Sequence, residues 1–536
     1  MLSFFKRTAL LAAAILFVWN CSADDITALL KKAESGDKEA QYQLALKYRA
    51  QKNTKKALEW AIKASKRKKG TKADPKYAEL LAQFYEEGVG FDEPQYRRAF
   101  YLYRRLANEK SKFSEYKLGM FYKNSPGDVV TTNPGMARAY FERAAKQDYA
   151  PAQYELAMCY KNGFGIRKNP EKCVEILTKA AEAGHARAQA ALGRCYFDGF
   201  GVEVNWDTAR EWYEKAAEQK DSLGLALLGE TYYLVPKGDR ETKPDYRKAF
   251  NYFMQSTKQP NPCAEGMFYL GNCYYFGYGT GKNILRAMSW WEGAARLDLP
   301  EAQSNLGFSY LDGDNGQKHY DMAVNLFRKA AKHKNAKAQY GLSKCYQNGY
   351  GLKPNAGRAR QLFMESAKNG YDKAQYELAY NYWEGKNGFP KDFKQALYWY
   401  ELAAENGYWK AQVEIAVNAY EKEKYDIAVK WLTYTAENDP PVAYSVYLLA
   451  LCYKEGKGVE KDLQKAEEWM QKAFELNVEE SIKGLEEIRE AIKKEKEEAA
   501  RKAAEEKQKK LEEEQKQKEL EAQQKEAQAD NPPPAN

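Results

Sequence analysis

Apolar residues in this chain recur at helical spacing. In the stretch "AQAALGRCYFDGFG", Ala188, Leu192, Cys195 and Tyr196 fall at i, i+4, i+7 and i+8, one face of a helix. The face stops at Gly199 and Gly201, residues that can take positive φ and close a helix C-terminus. A second stripe follows, made of Ala209, Trp212, Tyr213, Ala216 and Ala217. Its alanines let helices approach closely, and its rings fill the remaining space. The spacing therefore predicts a pair of helices joined by a glycine loop.

The same phrase returns as "AQYELAMCYKNGFG" from Ala152 and "AQYGLSKCYQNGYG" from Ala338. The Gln or Glu after its first Ala stands at Gln41, Glu79, Glu115, Gln153, Gln189, Glu265, Gln303, Gln339, Gln375 and Gln412. These positions lie 36 to 38 residues apart, except for the 76 between Gln189 and Glu265, which hold a degenerate copy from Leu225. A further copy starts at Val446, giving about twelve units. A helix this short is marginal alone in water, and one hairpin cannot bury its stripe on both sides. Stacking solves both problems, so each unit must present the same interlocking surface. The array is expected to open with a single helix, Asp25 to Asp37, and to close with one starting near Val478.

The pattern A-x-A-Q-Y-x-L, then Y-x-x-G-x-G-V, then A-x-x-W-Y-x-K-A-A-x-x-G resembles the Sel1-like repeat, a relative of the tetratricopeptide repeat. The resemblance runs from about Ile26 to Asn477. It implies an all-α fold, a right-handed superhelical solenoid of antiparallel helix pairs, and an adaptor that holds other proteins. The units near Tyr48 and Tyr420 lack the Gly-x-Gly loop, and those near Tyr122, Tyr233 and Tyr310 carry other connectors. Some relatives are stapled by disulfides, but one of the slots concerned holds Ala181 and Ala217 here, so that framework is not reproduced.

The ends differ in character. "MLSFFKRTALLAAAILFVWNCSADD" has Lys6 and Arg7, an apolar run from Ala9 to Trp19, then Ser22 and Ala23. That is the layout of a secretory signal peptide cut after Ala23, with lipidation of Cys21 as the alternative and the only expected tie to a membrane. The chain thus divides into a signal peptide (1–23), the repeat array (24–485), a charged helical tail (486–528) and a disordered end (529–536). In the tail Glu and Lys alternate at i, i+4, while apolar residues are too sparse for a coiled-coil seam.

The formal charge of +9 arises from 84 basic and 75 acidic residues, a balanced surface and no nucleic-acid footprint. The one dense basic cluster is "KRKKGTK", Lys66 to Lys72, read as an inter-helix loop, with contact to an anionic membrane or polymer as the alternative.

Candidate chemistry is thin. Cys159, Cys195, Cys273, Cys345 and Cys452 each precede a Tyr at one repeat position, a packing slot for a small apolar side chain. Export would also permit Cys159 to pair with Cys173, or Cys263 with Cys273. His185, His319 and His333 lie at connectors and form no metal pattern, so no metal or cofactor is expected. "LDGDNGQ" at Leu311 lacks the glycine and closing glutamate of a calcium loop. Ser65-x-x-Lys68 and Ser114-x-x-Lys117 match a serine–lysine motif without its companions.

In a superhelix the first helix of each unit lines the inner wall. Residues beside the repeated Tyr then form a mostly aromatic stripe: Arg194, Phe197, Tyr233, Tyr275, Phe308, Lys344, Tyr380 and Trp383. Aromatics and arginine are the usual anchors of protein interfaces. The expectation is a non-catalytic, exported scaffold, periplasmic or secreted, that binds a protein or peptide along this groove. Two alternatives stand beside it: a hydrolase or ligand binder for β-lactam or cell-wall compounds, and an intracellular adaptor.

Overall fold

The computed structural model describes residues 23–66, 74–235, 243–437 and 441–529. Residues 1–22 of the segment read as a signal peptide (Cys21 among them), the basic cluster after Lys66 and the end from residue 530 lie outside them. The described residues form 26 α-helices, one short 3-10 turn and no strand.

The chain falls into two compact units, residues 1–298 and 299–536. The first holds a single helix, Ala23–Glu34, and then helix pairs from Lys38–Ala50 with Thr54–Ser65 to Ala264–Phe276 with Ile284–Arg296. The second runs from Pro300–Asp312 with Tyr320–Lys332 to Ala443–Glu455 with Leu463–Glu475. Its last helix is Ser481–Ala529. We call the members of a pair A and B. Within each unit every A helix packs on its own B helix, and each B helix packs on the next A helix.

A and B meet through a ring set against a glycine. A Cβ added at Gly193 would lie 2.6 Å from the Tyr213 ring, and one at Gly119 would lie 2.4 Å from Phe141. Alanines fill the rest of the seam, with Ala188, Ala209 and Ala216 fully buried. The five cysteines before the repeated Tyr are buried in the same register, and all seven described cysteines are free thiols. Cys159, Cys173 and Cys195 share one buried cluster, in which Cys173 faces Cys195. Cys263 caps the helix Ala264–Phe276, accepting from Gly266 N–H at 3.4 Å.

The recurring glutamines Gln189, Gln375 and Gln412 each fasten one pair to the one before it, whereas Gln339 donates to Glu365 of its own B helix at 3.3 Å. Gln189 Nε2 donates to Ala181 O at 3.1 Å, Gln375 to Ala367 O at 3.0 Å and Gln412 to Ala404 O at 3.0 Å. Each acceptor lies in the last turn of the preceding B helix, where carbonyls have lost their helical partners. The glutamine's own oxygen then accepts from the end of its B helix: Gln219 donates to Gln189 at 2.7 Å and Asn406 to Gln375 at 2.8 Å. Where glutamate replaces it, the partners follow. Glu115 accepts from Gln147 at 2.8 Å and pairs with Arg143 at 2.7 Å.

The Gly-x-Gly loop does two jobs. Its first glycine ends the A helix in the left-handed region, as Gly199 does at φ 69°, and Cys195 O accepts from the N–H of both Gly199 and Phe200. Its second glycine lies against the start of the preceding B helix. A Cβ on Gly201 would stand 2.5 Å from the Pro170 carbonyl, and one on Gly458 would stand 2.5 Å from Tyr425 O. The residue between the glycines covers that same helix start. Tyr278 stacks on Tyr246 at 4.1 Å, Tyr350 on Tyr320 at 4.8 Å, and the Lys457 ammonium sits 5.1 Å from the Tyr425 ring centre.

The last helix is anchored only at its start. Leu485 and Ile488 are buried against Leu463–Glu475, with Ile492 partly so, whereas Leu511 and Leu520 are exposed. Among the described residues no helix is long and apolar enough to cross a membrane.

Candidate partner-binding surface

Of the eight residues expected on the inner wall, six are engaged inside the stack. Arg194 pairs with Glu230 at 2.5 Å and with Asp198 at 3.2 Å. Glu230 is buried and also accepts from Tyr269 OH at 2.5 Å; burial raises its carboxyl pKa, while Arg194 opposes the rise. Phe197 stacks on Trp206 at 4.3 Å. Tyr233 is walled in by Tyr246, Tyr269 and Tyr278, and Tyr275 leans on Trp291 at 5.2 Å. Phe308 meets Phe327 at 4.9 Å, and Lys344 pairs with Glu377 at 2.9 Å. Arg194, Tyr233 and Lys344 join successive A helices, while Phe197, Tyr275 and Phe308 pack on the B helix of their own pair.

Tyr380 and Trp383 are different. Both lie on the A helix Asp372–Glu384 in the second unit, and both face open space. Tyr380 is 43% exposed, and Lys386 donates to its hydroxyl at 3.2 Å. It stands between two pockets. One, of about 590 Å³, lies between Ala336–Asn348 and Asp372–Glu384 and is bordered by Lys344, Arg360, Glu377 and Phe389. The other, of about 240 Å³, lies between Asp372–Glu384 and the next A helix, Trp409–Glu421. Its apolar floor is Tyr400, Ile415 and Ala419, and its rim carries Glu384, Glu401, Glu414, Lys422 and Lys424. Burial raises the Tyr400 phenol pKa, and Tyr376 and Glu414 push it further.

The second pocket owes its opening to a missing loop. The A helix Trp409–Glu421 is joined to Tyr425–Ala436 by three residues, Lys422 to Lys424, with no Gly-x-Gly. The preceding B helix, Phe393–Glu405, thus lacks the cover that Tyr278, Tyr350 and Lys457 provide elsewhere. Phe393 is 50% exposed and Leu397 38%. The Phe393 ring touches the Trp383 ring edge-on at 4.9 Å, and Lys391 lies 5.2 Å from its centre. Reading the A-helix stripe alone misses Phe393, Leu397, Glu401 and Glu414. The signal was the departure at Tyr420, whose effect falls on the unit before it.

The other candidate groups are structural. His185 caps Ala186–Asp198, its Nδ1 accepting from Ala188 N–H at 3.2 Å. His319 and His333 flank the helix Tyr320–Lys332. Ser65 donates to Ile62 O at 2.9 Å, and Lys68 lies outside the described residues. Ser114 is buried, and Lys117 is held by Glu86 at 2.9 Å. Asp314 accepts from Ser309 at 2.8 Å within a polar turn. Among the described residues no three metal-ligating side chains gather.

The Sel1 repeat model matches eleven segments, from 38–68 and 75–111 through to 372–408 and 443–478. The chain belongs to the Sel1 repeat family. Sel1 repeat proteins are generally protein-interaction scaffolds. The chain is also similar to the "uncharacterized protein NMB1327" of Neisseria meningitidis, 33% identical over 125 residues, which span 23% of this chain and 25% of that protein. Among solved structures it is similar to c5321, a protective antigen of uropathogenic Escherichia coli, at 25% identity, with a TM-score of 0.37 and coverage of 88% and 91%. A Sel1 repeat protein from Oxalobacter formigenes matches at 25% identity and a TM-score of 0.33, covering 58% of this chain and 88% of its own.

Proposed function

We propose that this Sel1 repeat protein is a non-catalytic, exported scaffold that holds a segment of a partner protein along the surface around Tyr380. The supporting observation is the pair of open pockets meeting at that residue, where stacked helices elsewhere use their aromatic side chains on one another. A groove with an apolar floor and few polar groups at its rim is the usual form of a binding site. The reading of the first residues as a signal peptide supports export.

A photo-crosslinking residue at Tyr380 in living cells should trap a discrete partner. The same residue at Tyr101, 63% exposed on a B helix of the first unit, should trap none. Equal trapping at both positions, or none at Tyr380, overturns the reading. Analysis of the mature N-terminus should find Asp24 first, or a lipid on Cys21. A mature chain that still begins at Met1 overturns export.

A further inference from the structure

We propose that the patch formed by Phe393, Leu397, Glu401 and Glu414 takes a partner segment carrying an aromatic side chain and a lysine or arginine about three or four residues apart. This rests on the reading above, that the surface around Tyr380 holds a partner segment.

The aromatic requirement comes from the chain's own loops. Three other B helices of this kind begin with Tyr246, Tyr320 and Tyr425, and the next unit covers these rings with Tyr278, Tyr350 and Lys457. Phe393 begins its B helix, and the following turn is too short to reach back over it. A partner's ring laid on Phe393 and Leu397 restores the contact found at the equivalent sites. The Trp383 ring at 4.9 Å from Phe393 then forms one wall.

The cation requirement comes from charge. Glu401 and Glu414 stand exposed beside the apolar floor of Tyr400 and Ile415, and neither has an ion pair among the described residues. At the opposite end Glu384 is paired with Lys386 at 3.3 Å, while Lys422, 5.9 Å from the Trp383 ring, and Lys391, 5.2 Å from the Phe393 ring, add positive charge. A partner's cation is therefore repelled at the Trp383 end and attracted at the glutamate end, which fixes the direction of the segment. Eight helical residues separate Phe393 from Glu401, a rise of about 12 Å. An extended chain covers that distance in about three or four residues.

The test is a random peptide library panned against the full chain. Recovered peptides should be enriched in an aromatic residue followed or preceded at that spacing by Lys or Arg. Leu397→Arg should weaken them roughly tenfold or more, as loss of a central anchor does. The double variant Glu401→Lys with Glu414→Lys should move the enrichment from Lys and Arg to Asp and Glu. All these positions are exposed, so unchanged melting temperatures are expected. Peptides that are lost with Leu397→Arg but lack the pattern, or ignore the charge reversal, overturn this inference and leave the groove reading standing. Peptides indifferent to Leu397→Arg, together with no partner trapped at Tyr380, overturn both. A library that yields no binder, while Tyr380 still traps a partner, overturns the inference alone.

Discussion

Asn406 Nδ2 donates to Gln375 Oε1 at 2.8 Å, joining the end of one helix pair to its own beginning across 31 residues. Gln375 passes the connection on, through its Nε2, to Ala367 O at 3.0 Å. One buried amide thus ties three helix ends, which is why glutamine recurs at that place.

Gln375→Leu keeps the volume and removes both bonds, leaving Ala367 O to its backbone partner, Gly370 N–H, and the Asn406 amide to water. A stability loss of about 1–3 kcal/mol is expected in chemical denaturation. Asn406→Ala should cost less, because Asn406 is exposed and water replaces its partner. A double-mutant cycle should return a coupling of roughly 1 kcal/mol. Additive effects would show that the observed contact does not contribute.

The two kinds of glycine should separate cleanly. Gly201 has φ 72°, and an added Cβ would meet the Pro170 carbonyl at 2.5 Å, whereas Gly184, at φ 86°, has nothing within 4 Å. Gly184→Ala should show only the backbone penalty of about 1 kcal/mol. Gly201→Ala adds a clash between successive pairs and should lower the melting temperature several degrees further. Equal shifts would mean that the close approach to Pro170 is absent in solution.

His185 predicts a local acid sensitivity. Its Nδ1 must be unprotonated to accept from Ala188, and burial holds its pKa below the usual histidine value. The folded chain therefore binds that proton less readily than the unfolded chain. The resulting stability is present above the ordinary value of about 6.5 and is lost as pH falls towards the lower folded value. His185→Asn keeps a cap of the kind Asn335 provides for Ala336–Asn348 and has no titration in this range. Melting curves between neutral and mildly acidic pH should show the wild type losing ground to the variant as pH falls. A constant difference would rule this out.

Replacing Lys422–Lys424 with the loop 349–355 should close the second pocket. The grafted tyrosine would then cover Phe393 as Tyr350 covers Tyr320. Crosslinking from Tyr380 should fall sharply while the melting temperature holds or rises. Undiminished crosslinking would move the partner to the pocket beside Arg360.

Most of the fold was legible because it is local. Alanine spacing, the glycines after most of the repeated tyrosines and the capping Asn205 and Asn355 declare helix starts and stops residue by residue. The surface was less legible because its residues look alike in sequence. Phe197 and Trp383 hold the same repeat position, yet Phe197 stacks on its own B helix while Trp383 borders a pocket. Arg194 and Lys344 read as free anchors until their acids, Glu230 and Glu377, are matched one repeat further on. Phe393 and Leu397 were hidden because they lie on the second helix of a pair and are bared by a shortened turn in the next.

Because Gln189, Gln375 and Gln412 each reach back only to the pair immediately before, strain within either unit passes from link to link. Amide exchange should then climb from slow in mid-stack pairs to fast at the outermost ones. Trimming an outer pair would renew an end and leave the interior fastenings as they were.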